Sequence, residues 1–361
     1  MIGALLILSA SLAPPALSEP LPTIELLATS AISSGTSLDK RRVGGLSGLT
    51  YHQGRWFAVT DEKEDATRLY ELRIDVDPAA RSVTANVIAV HTLDAPDISD
   101  AEGLASDGEL LYVAFERPCA AAAFTLQTGN PTLALTRRFV TPEPVGSRFR
   151  KNRAFESILV RPRADACEIW AITESAIDSD GPEASFSRPA LSRAVIWSHD
   201  ATVALRQHAY VTLPAPPNTL AFFPSYNSLA DACGLDESRF LTLERSFSIA
   251  SGYDAAVRLV TIRHDETDTT DTPSLDPAPP ALIPLHTETI ATLQALGAPS
   301  TVNYEAIALG PPLRADTDAR LLIILADDNF GADGQPTNAI LAFRFTDPIS
   351  SSRSAPRADD R

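Results

Sequence analysis

Five short segments of this chain repeat one pattern: a polar residue, then a small or polar one, then an aliphatic one. They are Leu46-Ser47-Gly48-Leu49, Ala101-Glu102-Gly103-Leu104, Phe155-Glu156-Ser157-Ile158, Tyr226-Asn227-Ser228-Leu229 and Tyr304-Glu305-Ala306-Ile307. The polar positions 47, 102, 156, 227 and 305 lie 55, 54, 71 and 78 residues apart. Each segment is followed by an aromatic and β-branched run that ends in an acid (RWFAVTDE, LLYVAFER, EIWAITES, RFLTLERS, LLIILADDN), and then by a third run. Such residues suit a pleated, half-buried surface, and polar turns separate the runs. A unit of this size cannot bury its apolar faces alone, so the repeat dictates an array of neighbouring units.

A fourth strand is readable in the first four units, as VTANVIAVHTL, LALTRRFV, VALRQHAYVTL and ALIPLHTETI. The fifth unit lacks one. Thr23 to Ala31, just ahead of the first unit, can supply it by pairing the two ends of the array, which removes exposed strand edges. The expected fold is an all-β propeller of five four-stranded blades over residues 22–346, with six blades as the alternative if an insertion hides a degenerate unit. Ile177 to Leu191 and His264 to Pro280 read as solvated, poorly ordered insertions, and residues 347–361 as a disordered tail.

Residues 1–18 (MIGALLILSASLAPPALS) read as an export segment with small residues where a signal peptidase cuts, although no early Lys or Arg precedes the apolar run. A periplasmic or secreted, monomeric protein is expected. No later stretch reaches the roughly 20 apolar residues that span a bilayer. The 30 basic and 46 acidic residues give a formal charge of −16, which opposes binding to nucleic acid or anionic membranes and favours cations. Of the three cysteines, Cys167 and Cys233 fall at the same place in consecutive units, just before the second strand, and form the candidate disulfide; three buried thiols are the alternative.

In a propeller the first strand of each blade lines the central channel. The repeat therefore gathers Ser47, Glu102, Glu156, Asn227 and Glu305 into one ring. Three carboxylates converging on an axis repel one another unless a cation compensates them. The oxygen-only donor set suits Ca²⁺, or Mg²⁺ as second choice, with pairing to nearby arginines as the alternative. A second set of acids, Asp61, Glu116, Glu174, Glu244 and Asp327, closes the second strands. Lys63, Arg117, Arg153, Arg245 and Asn329 lie beside these two sets and could grip an anionic group. The G-G-L-S-G context of Ser47 lacks the spacing of a nucleophile elbow, and the six histidines show no metal-ligand spacing.

The strings GGLSGLTY, AEGLA, KNRAFESILV, LTLERSF, NYEAIALG and LADDNF, in this order from Val43 to Phe345, resemble the phytase-like family of exported bacterial proteins, described by an esterase-like activity of phytase. The resemblance implies a propeller and a hydrolase acting on phosphate or other esters. Phe155-Glu156-Ser157-Ile158 departs from the Phe-Glu-Gly-Leu usual in that family, but keeps the acid.

Together these readings lead to a metal-dependent hydrolase of a small anionic ester. Glu102, Glu156 and Glu305, with Asn227 and Ser47, hold the cation; Arg117, Arg153, Arg245, Lys63 and Asn329 bind substrate. Glu174, Glu244 and Asp61 are the candidate general bases, and nothing in the sequence chooses among them. A non-catalytic exported binding propeller with a structural metal, and a lactonase, are the alternatives.

Overall fold

The computed structural model describes residues 20–349, apart from 34, 64–65, 128, 165, 218–224, 314–315 and 331–336. Residues 1–18, read above as an export segment, and the residues beyond Ile349 lie outside the described residues. Among the described residues the chain is all-β, with single short helical turns at Val145–Arg148, Asp178–Asp180 and Gln294–Leu296. None of these is long and apolar enough to cross a membrane.

Among the described residues the strands form three four-stranded sheets, one eight-stranded sheet made of two antiparallel four-stranded halves, and a two-stranded hairpin of Ser37–Leu38 and Arg41–Arg42; each four-stranded sheet or half is one of the repeat units. Their inner strands are Leu46–His52, Ser99–Ser106, Phe155–Pro162, Tyr226–Gly234 and Asn303–Leu313. In the fifth unit, Thr23–Ser33 pairs antiparallel with Thr337–Thr346 and supplies the missing outer strand. The first two units also meet at their outer edges through a short parallel pairing, Thr92 with Thr132 and Leu93 with Leu133. No single sheet closes on itself. Instead the inner strands contact one another in cyclic order, and an apolar cluster fills each of the five spaces between consecutive units. The architecture is propeller-like.

This packing explains the sequence pattern. A second strand has a neighbouring unit on both faces, so its side chains are buried without alternation, as at Trp56–Val59 and Ile169–Ile172. The outer strand Ser82–Leu93 has a wet face, and its burial alternates over Ser82–Ile88. Close approach at the axis requires small residues: a Cβ on Gly48 would lie 2.7 Å from Leu104 N, and one on Gly103 2.6 Å from Ile158 N.

The two long insertions are anchored, contrary to their polar composition. Arg193, fully buried, donates to both carboxylate oxygens of Asp180 in the third unit's insertion. It also donates to the carbonyls of Thr269 and Thr272 in the fourth unit's insertion. Backbone bonds from Thr269 to Gln207 and from Leu285 to Ala209 lay that second insertion along the outer edge of unit three. Asp347, which the sequence assigns to the tail, is buried in an ion pair with Arg239.

All three cysteines are free, so the expected Cys167–Cys233 bridge is absent. Cys167 opens a second strand, whereas Cys233 lies near the end of an inner strand. They also face opposite neighbours: Cys167 meets Tyr112 of unit two, and Cys233 meets Leu309 and Arg320 of unit five.

Candidate active site

Where the inner strands begin and the second strands end, all five units open into one cavity of about 300 Å³. A local device aims the ring residues there. In units one, two, three and five the pairing of inner and second strand slips by one residue, between Leu46/Gly48, Ala101/Gly103, Phe155/Ser157 and Tyr304/Ala306. The bulged residues are Ser47, Glu102, Glu156 and Glu305. A bulge leaves its residue unpaired and redirects its side chain, and all four line the cavity.

Unit four departs from this pattern. Leu229 stands opposite Glu244, as Ala154 does opposite Glu174, and the slip falls at Ala230, so Asp231, which accepts from Ile307 N (2.9 Å), is level with the ring and Asn227 lies ahead of it. Tyr226 turns to the cavity, and Asn227 turns into the unit, where its Nδ2 donates to Glu244 Oε2 (2.7 Å) and to the Leu213 carbonyl (3.0 Å). Glu244 is itself buried and accepts from Tyr210, Leu213 N and Arg258. Neither Asn227 as a metal ligand nor Glu244 as a base is therefore placed at the cavity. Arg117 also stands outside its lining, tied to Asp100 (2.8 Å) and Asn152 (2.9 Å). The other predicted residues do converge: Ser47, Asp61, Lys63, Glu102, Arg153, Glu156, Glu174, Arg245, Glu305 and Asn329.

Arg245 changes the charge balance of the ring. Its guanidinium reaches from unit four to Glu156 Oε1 and Glu174 Oε1, each at 2.9 Å, and to Glu305. The cation that compensates Glu156 and Glu305 is thus a side chain, and Arg245 is engaged rather than free to grip substrate. One guanidinium cannot hold three carboxylates ionised. Burial opposes charge on Glu174, but Arg245 and Arg153 (2.5 Å) outweigh it and keep that carboxyl low. Burial lifts Glu156 well above the ordinary range, helped by the charge of Glu174, and lifts Glu305 to about 7 against the pull of Arg245.

A second group lies toward units one and two. Asp100, Glu102 and Glu116 can each present an oxygen within 4.8 Å of the others. Enclosure, then the charges of Asp61 and Asp100, pushes Glu102 well above its usual value. Burial raises Glu116 to about 7, although its Oε1 accepts a bond from Ala154 N (2.9 Å). Burial likewise raises Asp61 to about 6, against the pull of Lys63. Lys63 pairs with Asp100 at 3.5 Å. This donor set is all oxygen and holds more carboxylates than cations, which fits a hard divalent ion. The group Glu116, Glu156 and Glu174 also gathers, but there Arg245 already stands against Glu156 and Glu174.

Sequence reasoning missed Asp100 as part of this group, and Tyr226, Tyr253 and Asn303 as cavity residues. Asp100 stands two residues before the ring position at φ 62°, a backbone the repeat pattern does not signal. Asp327 lines the cavity while accepting a bond from Leu46 N (3.0 Å), so this second-strand acid also staples unit five to unit one.

Comparison with solved structures finds distant likenesses. Myxococcus xanthus glutaminyl cyclase is 11% identical, with 90% of this chain and 98% of that chain covered and a TM-score of 0.42. The Malassezia sympodialis allergen Mala s 1 is 10% identical, with 91% and 85% covered and a TM-score of 0.41. A putative 6-phosphogluconolactonase of Bacteroides fragilis is 13% identical, with 92% and 100% covered and a TM-score of 0.35. Comparison with curated proteins returned no match. Residues 41–330, which hold the inner strands and the cavity they build, match the phytase-like family described as esterase-like activity of phytase, and the chain belongs to that family.

Proposed function

We propose that this protein is an exported, cation-dependent hydrolase of phosphate or other small anionic esters, working at the mouth of a five-bladed propeller. The observation that carries this reading is that Glu102, Glu116 and Asp61 line one cavity and that Asp100, just behind its wall, gathers with Glu102 and Glu116. A divalent cation there, Ca²⁺ first and Mg²⁺ second, would supply charge neutralisation and polarisation of the scissile group. Asp61 is favoured over Glu174 as general base. A carboxyl near pH 6 is ionised at neutrality and still basic enough to take a proton, whereas Glu174 is locked between two arginines. Asp61 takes the proton of the attacking water as its oxygen bonds to phosphorus or the acyl carbon. The ester bond to the alcohol breaks, and the same proton passes to the departing oxygen. Lys63 and Asn329, which line the cavity, would orient the anionic group.

The ion pairs of Arg245, which fill part of the ring without any metal, favour a second reading in which the cavity captures a ligand and turns nothing over. Calorimetry with Ca²⁺ before and after EDTA, then a panel of aryl phosphates, aryl esters and lactones, separates the readings. The hydrolase reading expects turnover that EDTA abolishes and Ca²⁺ restores. Glu102→Gln is expected to lose both cation binding and turnover. Asp61→Asn is expected to bind the cation but to lose about 10²- to 10⁴-fold in kcat. Turnover that survives in Glu102→Gln would overturn the assignment, and cation binding without any turnover would favour the binding reading.

A further inference from the structure

Unit four carries an aromatic residue, Tyr226, at the start of its inner strand, ahead of the residues that the pairing brings level with the ring. The pairing makes Ala230 the counterpart of Leu46, Ala101, Phe155 and Tyr304, and all five are buried in the apolar clusters between units. Tyr226, four residues before Ala230, is partly exposed and lines the cavity. It does not stand by itself. Tyr226 is the cross-strand partner of Phe247, and Phe247 of Tyr253, so three neighbouring strands end in a ladder of rings. The centroids of Tyr226 and Phe247 are 5.9 Å apart at 28°, and those of Phe247 and Tyr253 are 4.8 Å apart at 50°. All three rings keep solvent exposure, and both tyrosines reach the cavity. Unit four adds Arg245 to the same wall.

Rings left half-wet at the rim of a charged cavity contribute less to packing than buried ones, while they offer a planar surface of low conformational freedom to a ligand. The carboxylates of units one and two lie on the other side of the axis. A ligand bridging the two sides would place its ester group against the acids and a flat substituent against the ladder. We infer that Tyr226, Phe247 and Tyr253 form a specificity wall that selects esters carrying an aromatic ring. This inference rests on reading the cavity as an ester-binding site.

The test is calorimetric binding of phenyl phosphate and methyl phosphate to the full chain in Ca²⁺, with hydrolysis followed separately. The expected result is phenyl phosphate bound about three- to tenfold more tightly, the range of one favourable ring contact. The pair Tyr226→Leu and Tyr253→Leu is expected to remove that preference and leave methyl phosphate affinity unchanged, which also reports that the cavity is still built. Tyr226→Phe, which keeps the ring, is expected to keep the preference. Equal affinities in the native protein, or a preference that survives the double replacement, overturns the wall. Preference without hydrolysis upholds the wall and overturns the hydrolase, and hydrolysis without preference does the reverse. Failure of both probes to bind overturns both.

Discussion

Arg193 closes on Asp180 through two bonds, Nε to Oδ2 at 2.6 Å and Nη2 to Oδ1 at 2.9 Å, and both side chains are buried. The same guanidinium carries the second insertion on the carbonyls of Thr269 and Thr272. Removing one member leaves an uncompensated buried charge. Asp180→Asn or Arg193→Met is expected to lower unfolding free energy by about 3–5 kcal/mol, measured in urea, with the double replacement costing less than either single one.

The raised carboxyls set a pH dependence of unusual sign. Unfolded carboxyls titrate near about 4, whereas Asp61 titrates at about 6 and Glu116 and Glu305 at about 7 in the folded protein. Between those values the folded state holds protons that the unfolded state has lost, so stability falls as pH rises through the window. Glu174 acts oppositely, because its carboxyl is depressed: its contribution is present above the unfolded value and is lost only as pH falls through the folded one. In EDTA the melting temperature is expected to be higher near pH 5 than near pH 7.5, and saturating Ca²⁺ should reduce the difference. A melting temperature that rises steadily to pH 7.5 in EDTA would contradict the clustering of uncompensated acids.

Gly103 reports on the closeness of the inner strands. A methyl group there meets the backbone of Ile158 and Ser157, which has no flexible side chain to yield. Gly103→Ala is expected to destabilise by about 1–3 kcal/mol, whereas Gly108→Ala, where a Cβ meets nothing within 4 Å, should not clash and costs only its positive φ of 96°. Comparable losses at both sites would argue against crowding at the axis.

The free cysteines make a chemical prediction. Protein purified without reductant and then denatured should yield three reactive thiols, and reductant should leave the native melting temperature unchanged. Fewer than three thiols would restore a bridge.

The repeat was legible because each unit carries its own strand-forming runs and turns at a fixed order, and Thr23 to Ala31 was readable as the closing strand because unit five ends one strand short. The bulged ring was legible in four units for the same reason. Asn227 was misplaced because register is a matter of backbone pairing: Leu229 stands opposite Glu244, which brings Asp231 level with the ring although the Tyr226–Leu229 motif resembles the other four. Arg245 was seen as a cation beside the mouth, but its partners belong to units three and five, and such cross-unit contacts leave no trace in local sequence. The insertions looked solvated because Ser, Asp and Pro recur in the first and Asp, Thr and Pro dominate the second; one buried arginine on a neighbouring strand reverses that.

The pairing of Thr23–Ser33 with Thr337–Thr346 also bears on how the chain reaches this state. Every other unit can assemble from strands that are near neighbours in sequence, but this one waits until the last strand is made and must then find the first. The order of synthesis therefore holds the ring open until late, leaving the apolar spaces on either side of unit five exposed until that encounter. A permuted chain that begins between Leu93 and Ser99, with the two paired strands joined by a linker, would turn the slow meeting into a local hairpin and should refold faster, once the short parallel contact at that edge is allowed for.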